Sequence, residues 1–216
     1  MIYILGAGGF AREVLNIYID LGKDNKVAGF LEENCQRTDA LLNEKIIGDI
    51  SILNGLDRHN IELICGIGTP LRKRLIEYTR KLGYEYDTII HPSVIKSKWV
   101  TFGKGSIICA GNIFTSQITV GDYTIVNLDC TIGHDVNIGE YTTISPGVHI
   151  SGKASIGNGC FIGTGVVIAE KVSIGMNSYI GAGAVVTKDI PENVLAVGVP
   201  AKPVRRLTAS DWVELI

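Results

Sequence analysis

The chain divides into two architectures: an α/β unit on a parallel sheet over residues 1–91, then a three-sided parallel β-coil over 92–191, with a tail from 192 to 216. Three observations predict this. Apolar residues recur every six positions through the second part without a break. In the first part, strand-like apolar runs alternate with helical ones. Between its first strand and first helix stands a glycine cluster, Gly6-Ala7-Gly8-Gly9-Phe10-Ala11.

MIYILGA is a continuous apolar run ended by glycine, the pattern of a buried strand. In GGFAREVLNIYIDLG, Val14, Leu15, Tyr18 and Ile19 fall at the spacing of one helix face. VAGFLEE and IELICGIG read as second and third strands. Thr69 then offers an N-cap oxygen and Pro70 a first-turn residue with no N–H to satisfy, opening a helix through LRKRLIEYTRKLG. Such alternation gives a small Rossmann-like sheet. The glycine cluster matches G-x-G-x-x-[GA], and Glu32 and Glu33 follow the second strand. Amides at a helix N-terminus can cradle phosphate, but a unit of this length holds about one mononucleotide-binding half, too little to span NAD. A purely structural turn is the alternative reading of the glycines.

Stepping by six from Phe102 meets Ile108, Phe114, Val120, Val126, Ile132, Ile138, Ile144, Ile150, Ile156, Ile162, Ile168, Ile174, Ile180 and Val186. Glycine follows many of them, as at Gly121, Gly133, Gly139, Gly157, Gly163, Gly175 and Gly181. A small or β-branched residue stands four places on, as at Thr124, Cys130, Thr142, Ala154, Cys160 and Val166. A period of six fits neither a helix nor simple strand alternation. It fits a coil in which each hexad supplies a short strand and a corner, the large aliphatic pointing inward and glycine permitting the corner. Three hexads close one rung, and five rungs at about 4.8 Å make a prism roughly 24 Å long. Stacking of the rungs supplies its core.

The bulk composition narrows the function. With 46% hydrophobic residues, 19% charged and a net charge of −2, the chain is neither disordered nor a nucleic-acid binder. No apolar stretch approaches a membrane span, and the N-terminus lacks the basic region and apolar length of a signal peptide. The five cysteines, at 35, 65, 109, 130 and 160, show no metal-ligand spacing and are odd in number, which points to a reduced, cytoplasmic setting. Cys130 and Cys160 fall on inward positions. The histidines, 59, 91, 134 and 149, do not stack at the spacing a zinc site on the prism requires, so no metal is expected.

One coil carries TIGHDVNIG. Steps of eighteen align Ser116, His134, Gly152, Glu170 and Lys188 on one edge of the prism, and Gln117, Asp135, Lys153, Lys171 and Asp189 beside them. The smallest residue therefore follows His134 one rung on, and open space beside the imidazole is expected. The competing reading is a histidine that merely decorates a corner. Beyond the repeat, V-G-V-P-A-K and the cations Lys202, Arg205 and Arg206 form either a contact for phosphate groups or a solvated basic end. TASDWVELI reads as a short final helix.

The glycine-rich N-terminal unit, the I-G-H-D corner and the V-P-A-K tail together resemble one family across essentially the whole chain. It is the hexapeptide-repeat, left-handed β-helix sugar acetyltransferases, which include sialic acid O-acetyltransferases and N-acetyltransferases of UDP-4-amino-sugars for bacterial surface glycans. The resemblance implies a homotrimer with acetyl-CoA in the groove between neighbouring prisms and active sites between subunits. It implies His134 as general base, Asp135 raising its basicity, and a backbone N–H of Gly152 for the thioester carbonyl. Thr164 and Ala182 would line the CoA groove, and Gly8, Gly9, Phe10, Glu32, Glu33 and Gly68 would hold the sugar nucleotide. The chain departs from the pattern twice. Phe10 stands where many relatives carry a histidine, and Thr143 stands where some carry a second histidine near acetyl-CoA. The expected activity is direct N-acetylation of a nucleotide-linked amino sugar, with O-acetylation of a sugar or sialic acid as the alternative.

Overall fold

The computed structural model describes residues 1–32, 46–208 and 210–212. Glu33 lies outside them, as does most of the expected final helix.

The N-terminal unit is a five-stranded parallel sheet of β1 (Ile2–Leu5), β2 (Val27–Leu31), β3 (Ile46–Gly48), β4 (Glu62–Cys65) and β5 (Glu85–Tyr86), in the order β3-β2-β1-β4-β5. The central β1 is buried throughout, which explains its unbroken apolar run. Helix α1 (Gly9–Asp20) buries Ala11, Val14, Leu15, Ile17 and Tyr18. Ile19, expected on that face, is exposed, because it lies about 100° round the helix from Tyr18. Helix α2 (Arg72–Lys81) starts later than its sequence signals imply. Thr69 caps nothing with its side chain. Its carbonyl and that of Pro70 accept from Arg72 and Lys73, so residues 69–71 form a lead-in turn.

The second part is a three-sided parallel β-coil. Its first face stacks strands from Ile95–Lys96 to Val185–Val186, its second from Val100–Phe102 to Ser173–Ile174, and its third from Ile89–Ile90 upward. Ile89–Ile90 already pairs with Ile107–Ile108, so the coil begins just ahead of residue 92. Strand partners are eighteen apart in number through the regular rungs, as Thr131 with His149 and Thr143 with Phe161, and sixteen apart at the last, as Tyr179 with Leu195. The inward aliphatics form one continuous core with Cys130, Ala154, Cys160 and Val166 between them. Burial raises the Cys130 thiol to about 11 and the Cys160 thiol to about 12, so both are inert core residues.

The corners correct one inference from the sequence. The glycine after each inward residue does not make the turn. A Cβ at Gly133 would stand 2.6 Å from the Gly152 nitrogen one rung on, so glycine is required there by the close approach of successive coils. The left-handed residue comes two places later and is often not glycine: Asp135 has φ +61° and Tyr141 φ +56°. The three outer surfaces differ. On the second face Thr101, Thr119, Asn137, Ser155 and Ser173 are all exposed and polar. The first face exposes Ile95, Ile113, Thr131, His149 and Val167. On the third face Ile89, Ile107 and Ile125 share a core with Val14, Tyr18 and Ile64, so the N-terminal unit is docked there. Each such side chain, fully buried, contributes about 1.5–3 kcal/mol.

The last coil ends in a hairpin. Val194–Val197 runs parallel to Tyr179–Ile180, and Lys202–Arg206 returns antiparallel to it. The connecting segment closes over the first face: Val185 N–H donates to the Gly198 carbonyl, and Ala201 N–H to that of Val185.

Candidate active site

His134 stands on the edge between the first and second faces, at a corner fixed from both sides. Asp135 N–H donates to the Ser116 carbonyl at 3.0 Å, and the His134 carbonyl accepts from Lys153 N–H at 2.7 Å. The imidazole Nδ1 lies 2.8 Å from Asp135 Oδ2. An ionised carboxylate only accepts, so in the neutral ring this contact places the proton on Nδ1 and the lone pair on Nε2. The side chain is 55% exposed, so the ring is open to solvent.

The space expected beside the imidazole is filled by the imidazole itself. A Cβ at Gly152 would stand 2.6 Å from Nε2 and 2.7 Å from Cε1, so the ring lies directly against that glycine. The missing side chain gives the base its seat. The Gly152 N–H has no hydrogen-bond partner among the described residues and can meet developing negative charge. Thr164 and Ala182 are exposed on a different edge, between the third and first faces. Thr143 is on the third face, 3% exposed, and its hydroxyl donates to the Gly68 carbonyl at 3.0 Å while accepting from Arg72 at 2.7 Å. His149 bonds Thr131 on the first face. Among the described residues no three His, Cys, Asp or Glu side chains converge as metal ligands would.

The N-terminal unit has a cleft of about 690 Å³ at the carboxyl ends of β1, β2 and β4, bordered by Gly6, Glu32, Asp49, Ser51, Ile67 and Arg74 among others. That is where parallel α/β sheets hold nucleotides. Gly6 takes φ +90°, which turns the chain from β1 into the loop. Gly8 is the N-cap of α1, and the amides of Gly9, Phe10 and Ala11 donate to nothing among the described residues. Ala11 packs so closely on β4 that a Cβ at Gly66 would meet its Cα and Cβ at 2.7 Å. Phe10 packs its ring over Gly68. Glu32 accepts from the Ala7 amide at 2.8 Å and so fastens the loop to β2. Asp49, Ser51 and Arg74 gave no sign of this role in the sequence. They follow short elements without periodicity or sit in a basic helix that reads as a solvated face.

In the tail Lys202, Arg205 and Arg206 are exposed, and Arg205 lies 3.4 Å from Asp211.

Within one chain the cleft, the His134 corner and the Thr164–Ala182 edge are separate. The N-terminal unit covers the third face, and the His134 edge lies opposite that face, across the prism core.

Comparison with known proteins joins these parts. The N-terminal unit matches the family model described as PglD N-terminal domain over residues 1–79, and residues 153–188 match bacterial transferase hexapeptide (six repeats). No curated protein matches by sequence. Among solved structures, a histidine variant of perosamine N-acetyltransferase from Caulobacter crescentus, in complex with CoA and GDP-perosamine, superposes with a TM-score of 0.88 at 30% identity, over 94% of this chain and 96% of that one. The acetyltransferase domain of PglB from Neisseria gonorrhoeae, in complex with acetyl coenzyme A, gives 0.87 at 30% identity, over 94% and 98%. WeeI from Acinetobacter baumannii gives 0.83 at 27%, over 94% and 99%. Identity at this level, sustained through both architectures, shows more than a common fold: the chain belongs to the hexapeptide-repeat, left-handed β-helix family of sugar acetyltransferases, and it is an acetyltransferase.

Proposed function

We propose that the protein transfers the acetyl group of acetyl-CoA to the amino group of a nucleotide-linked sugar, with His134 as general base. The observation that carries this is the paired imidazole: Nδ1 held by Asp135, Nε2 free, and the unpartnered amide of Gly152 beneath. The sugar nitrogen adds to the thioester carbonyl to give a tetrahedral oxyanion, whose collapse breaks the C–S bond. The proton that His134 takes from nitrogen passes to the leaving sulfur, and CoA departs as the thiol. His134 Nε2 takes the proton from nitrogen, an effect worth about 10²–10⁴-fold. The Gly152 amide stabilises the oxyanion, where a single donor is worth roughly 10²–10³-fold. No covalent enzyme intermediate is required. Acetyl-CoA fits the exposed edges of the prism, with Thr164 and Ala182 bordering its groove.

The nucleotide handle belongs in the N-terminal cleft. Free amides at the start of α1 suit a diphosphate, Phe10 and Gly68 supply an apolar wall for the sugar, and Glu32 borders the nucleoside end. On this reading a homotrimer brings the cleft of one copy to the His134 corner of the next, a reading supported by their placement on opposite sides of one prism. The exposed apolar residues of the first face, Ile95, Ile113 and Val167, are its natural contact surface. The setting is cytoplasmic on this reading: the four described cysteines are buried and unpaired, and no helix among the described residues is long and apolar enough to cross a membrane.

A UDP-4-amino-4,6-dideoxyhexose is the acceptor we assign first, following the family resemblance. The GDP-perosamine held by the Caulobacter relative makes a GDP-linked acceptor the direct comparison. The test is a panel of UDP-, GDP- and dTDP-linked amino sugars, free amino sugars and sialic acids, each with acetyl-CoA, following release of the CoA thiol. Turnover is expected only with nucleotide-linked amines, fastest with the UDP sugar. Turnover confined to free sugars or sialic acid would replace this reading with O-acetylation or a free-sugar acceptor.

A further inference from the structure

Arg72, the first residue of α2, is 2% exposed and makes no salt bridge with any described residue. Its guanidinium reaches across the domain junction. Nε and Nη2 donate to the Tyr123 carbonyl at 3.2 and 2.8 Å, Nη2 also to the Thr142 carbonyl at 2.9 Å, and Nη1 to Thr143 Oγ1 at 2.7 Å. The Thr143 hydroxyl in turn donates a hydrogen bond to the Gly68 carbonyl at 3.0 Å. Gly68 in turn supports the Phe10 ring at the mouth of the nucleotide loop. Burying a cation without a counter-charge is costly unless its donors are filled, so this arrangement is rigid by necessity. Stacked Tyr123 and Tyr141 flank it, with Arg80 and Lys73 over their rings.

The anchor's height on the prism gives it meaning. Thr143 and His134 are nine residues apart, half of an eighteen-residue rung, so they occupy the same coil on opposite sides. In a trimer whose prisms lie side by side, equal rungs stand at equal height. We infer that Arg72 and Thr143 are positioning residues: they set the nucleotide cleft at the level of the catalytic rung, so that the acceptor amine meets the His134 of the neighbouring copy. Slipping by one rung would displace the cleft by about 4.8 Å. A misplacement of about 1 Å can already cost on the order of 10²-fold in rate. Thr143 thus serves the junction and not the cofactor. This inference rests on the proposed transfer between copies.

The test is Thr143→Val, which keeps the shape and removes the hydroxyl, beside Thr143→Ser, which restores it, and Arg72→Lys, which keeps charge but loses the fork. Turnover numbers would be read with Kd values for UDP, GDP and acetyl-CoA, and with amide hydrogen exchange over residues 66–74. Thr143→Val and Arg72→Lys are expected to lower kcat at least tenfold with the three Kd values within twofold of wild type. Exchange over 66–74 should quicken, and Thr143→Ser should restore both. A kcat within twofold of wild type, a loss that merely follows nucleotide affinity, or unchanged exchange over 66–74 would overturn the inference. Should the wild type transfer acetyl to no nucleotide amino sugar, the proposed function fails on that result, while the exchange measurement still decides whether Thr143 fixes the cleft wall.

Discussion

Replacing His134 with alanine is expected to lower kcat by about 10²–10⁴-fold while acetyl-CoA affinity changes little. The imidazole is exposed on a prism corner, and its one hydrogen bond among the described residues is to the neighbouring Asp135, so its removal disturbs neither the core nor the coil. What disappears is an acceptor for the proton of the attacking amine, a contact that matters in the transition state and not in cofactor binding. Steady-state kinetics with a nucleotide amino sugar, beside calorimetry with acetyl-CoA, checks it. Activity within a few-fold of wild type would remove His134 from the role of base.

Gly152→Ala should be nearly as damaging by another route. The backbone there is not in the left-handed region, so alanine costs little in conformation. Its methyl group, however, would lie 2.6 Å from His134 Nε2 and 3.1 Å from Cδ2. Nothing buried holds the ring in place, so the ring gives way and the protein stays folded. A base displaced by about an ångström loses roughly 10²-fold in rate. The expected signature is a melting temperature close to wild type together with kcat down on the order of 10²-fold. A large fall in melting temperature would instead show that the corner cannot relax, and unchanged kcat would show that the ring's position is not critical.

How far the sequence could be read depends on the length over which each feature repeats. The hexad is legible because inward residues recur through every rung, and a single exception would have stood out. The corner at His134 was legible as a column, since residues eighteen apart must stack once the period is known. Its geometry was not. A glycine in the column shows that a side chain is missing, but not that the imidazole from the rung below lies in its place. Gly133 is hard to read for a related reason: local sequence signals a turn, whereas the constraint is a backbone one coil away. Strands β3 and β5 have three and two residues, too few for a periodicity to show. Arg72 was hidden most completely. In LRKRLIEYTRKLG a cation reads as a solvated face, and only the docking of two units makes it the most buried charge described. Glu33, expected to help hold the sugar nucleotide, lies outside the described residues.

The hairpin over the last coil carries a further consequence. A ladder of identical parallel rungs has no intrinsic length, and an uncovered terminal rung would offer its amides and carbonyls to the first rung of another molecule. Here the strand that follows Val194–Val197 runs the wrong way to continue the ladder. Pro203 within it lacks an N–H, and Lys202, Arg205 and Arg206 crowd positive charge along the outermost rim. Reversed polarity and a missing donor together close the third face at this strand, where a fibril would go on adding rungs.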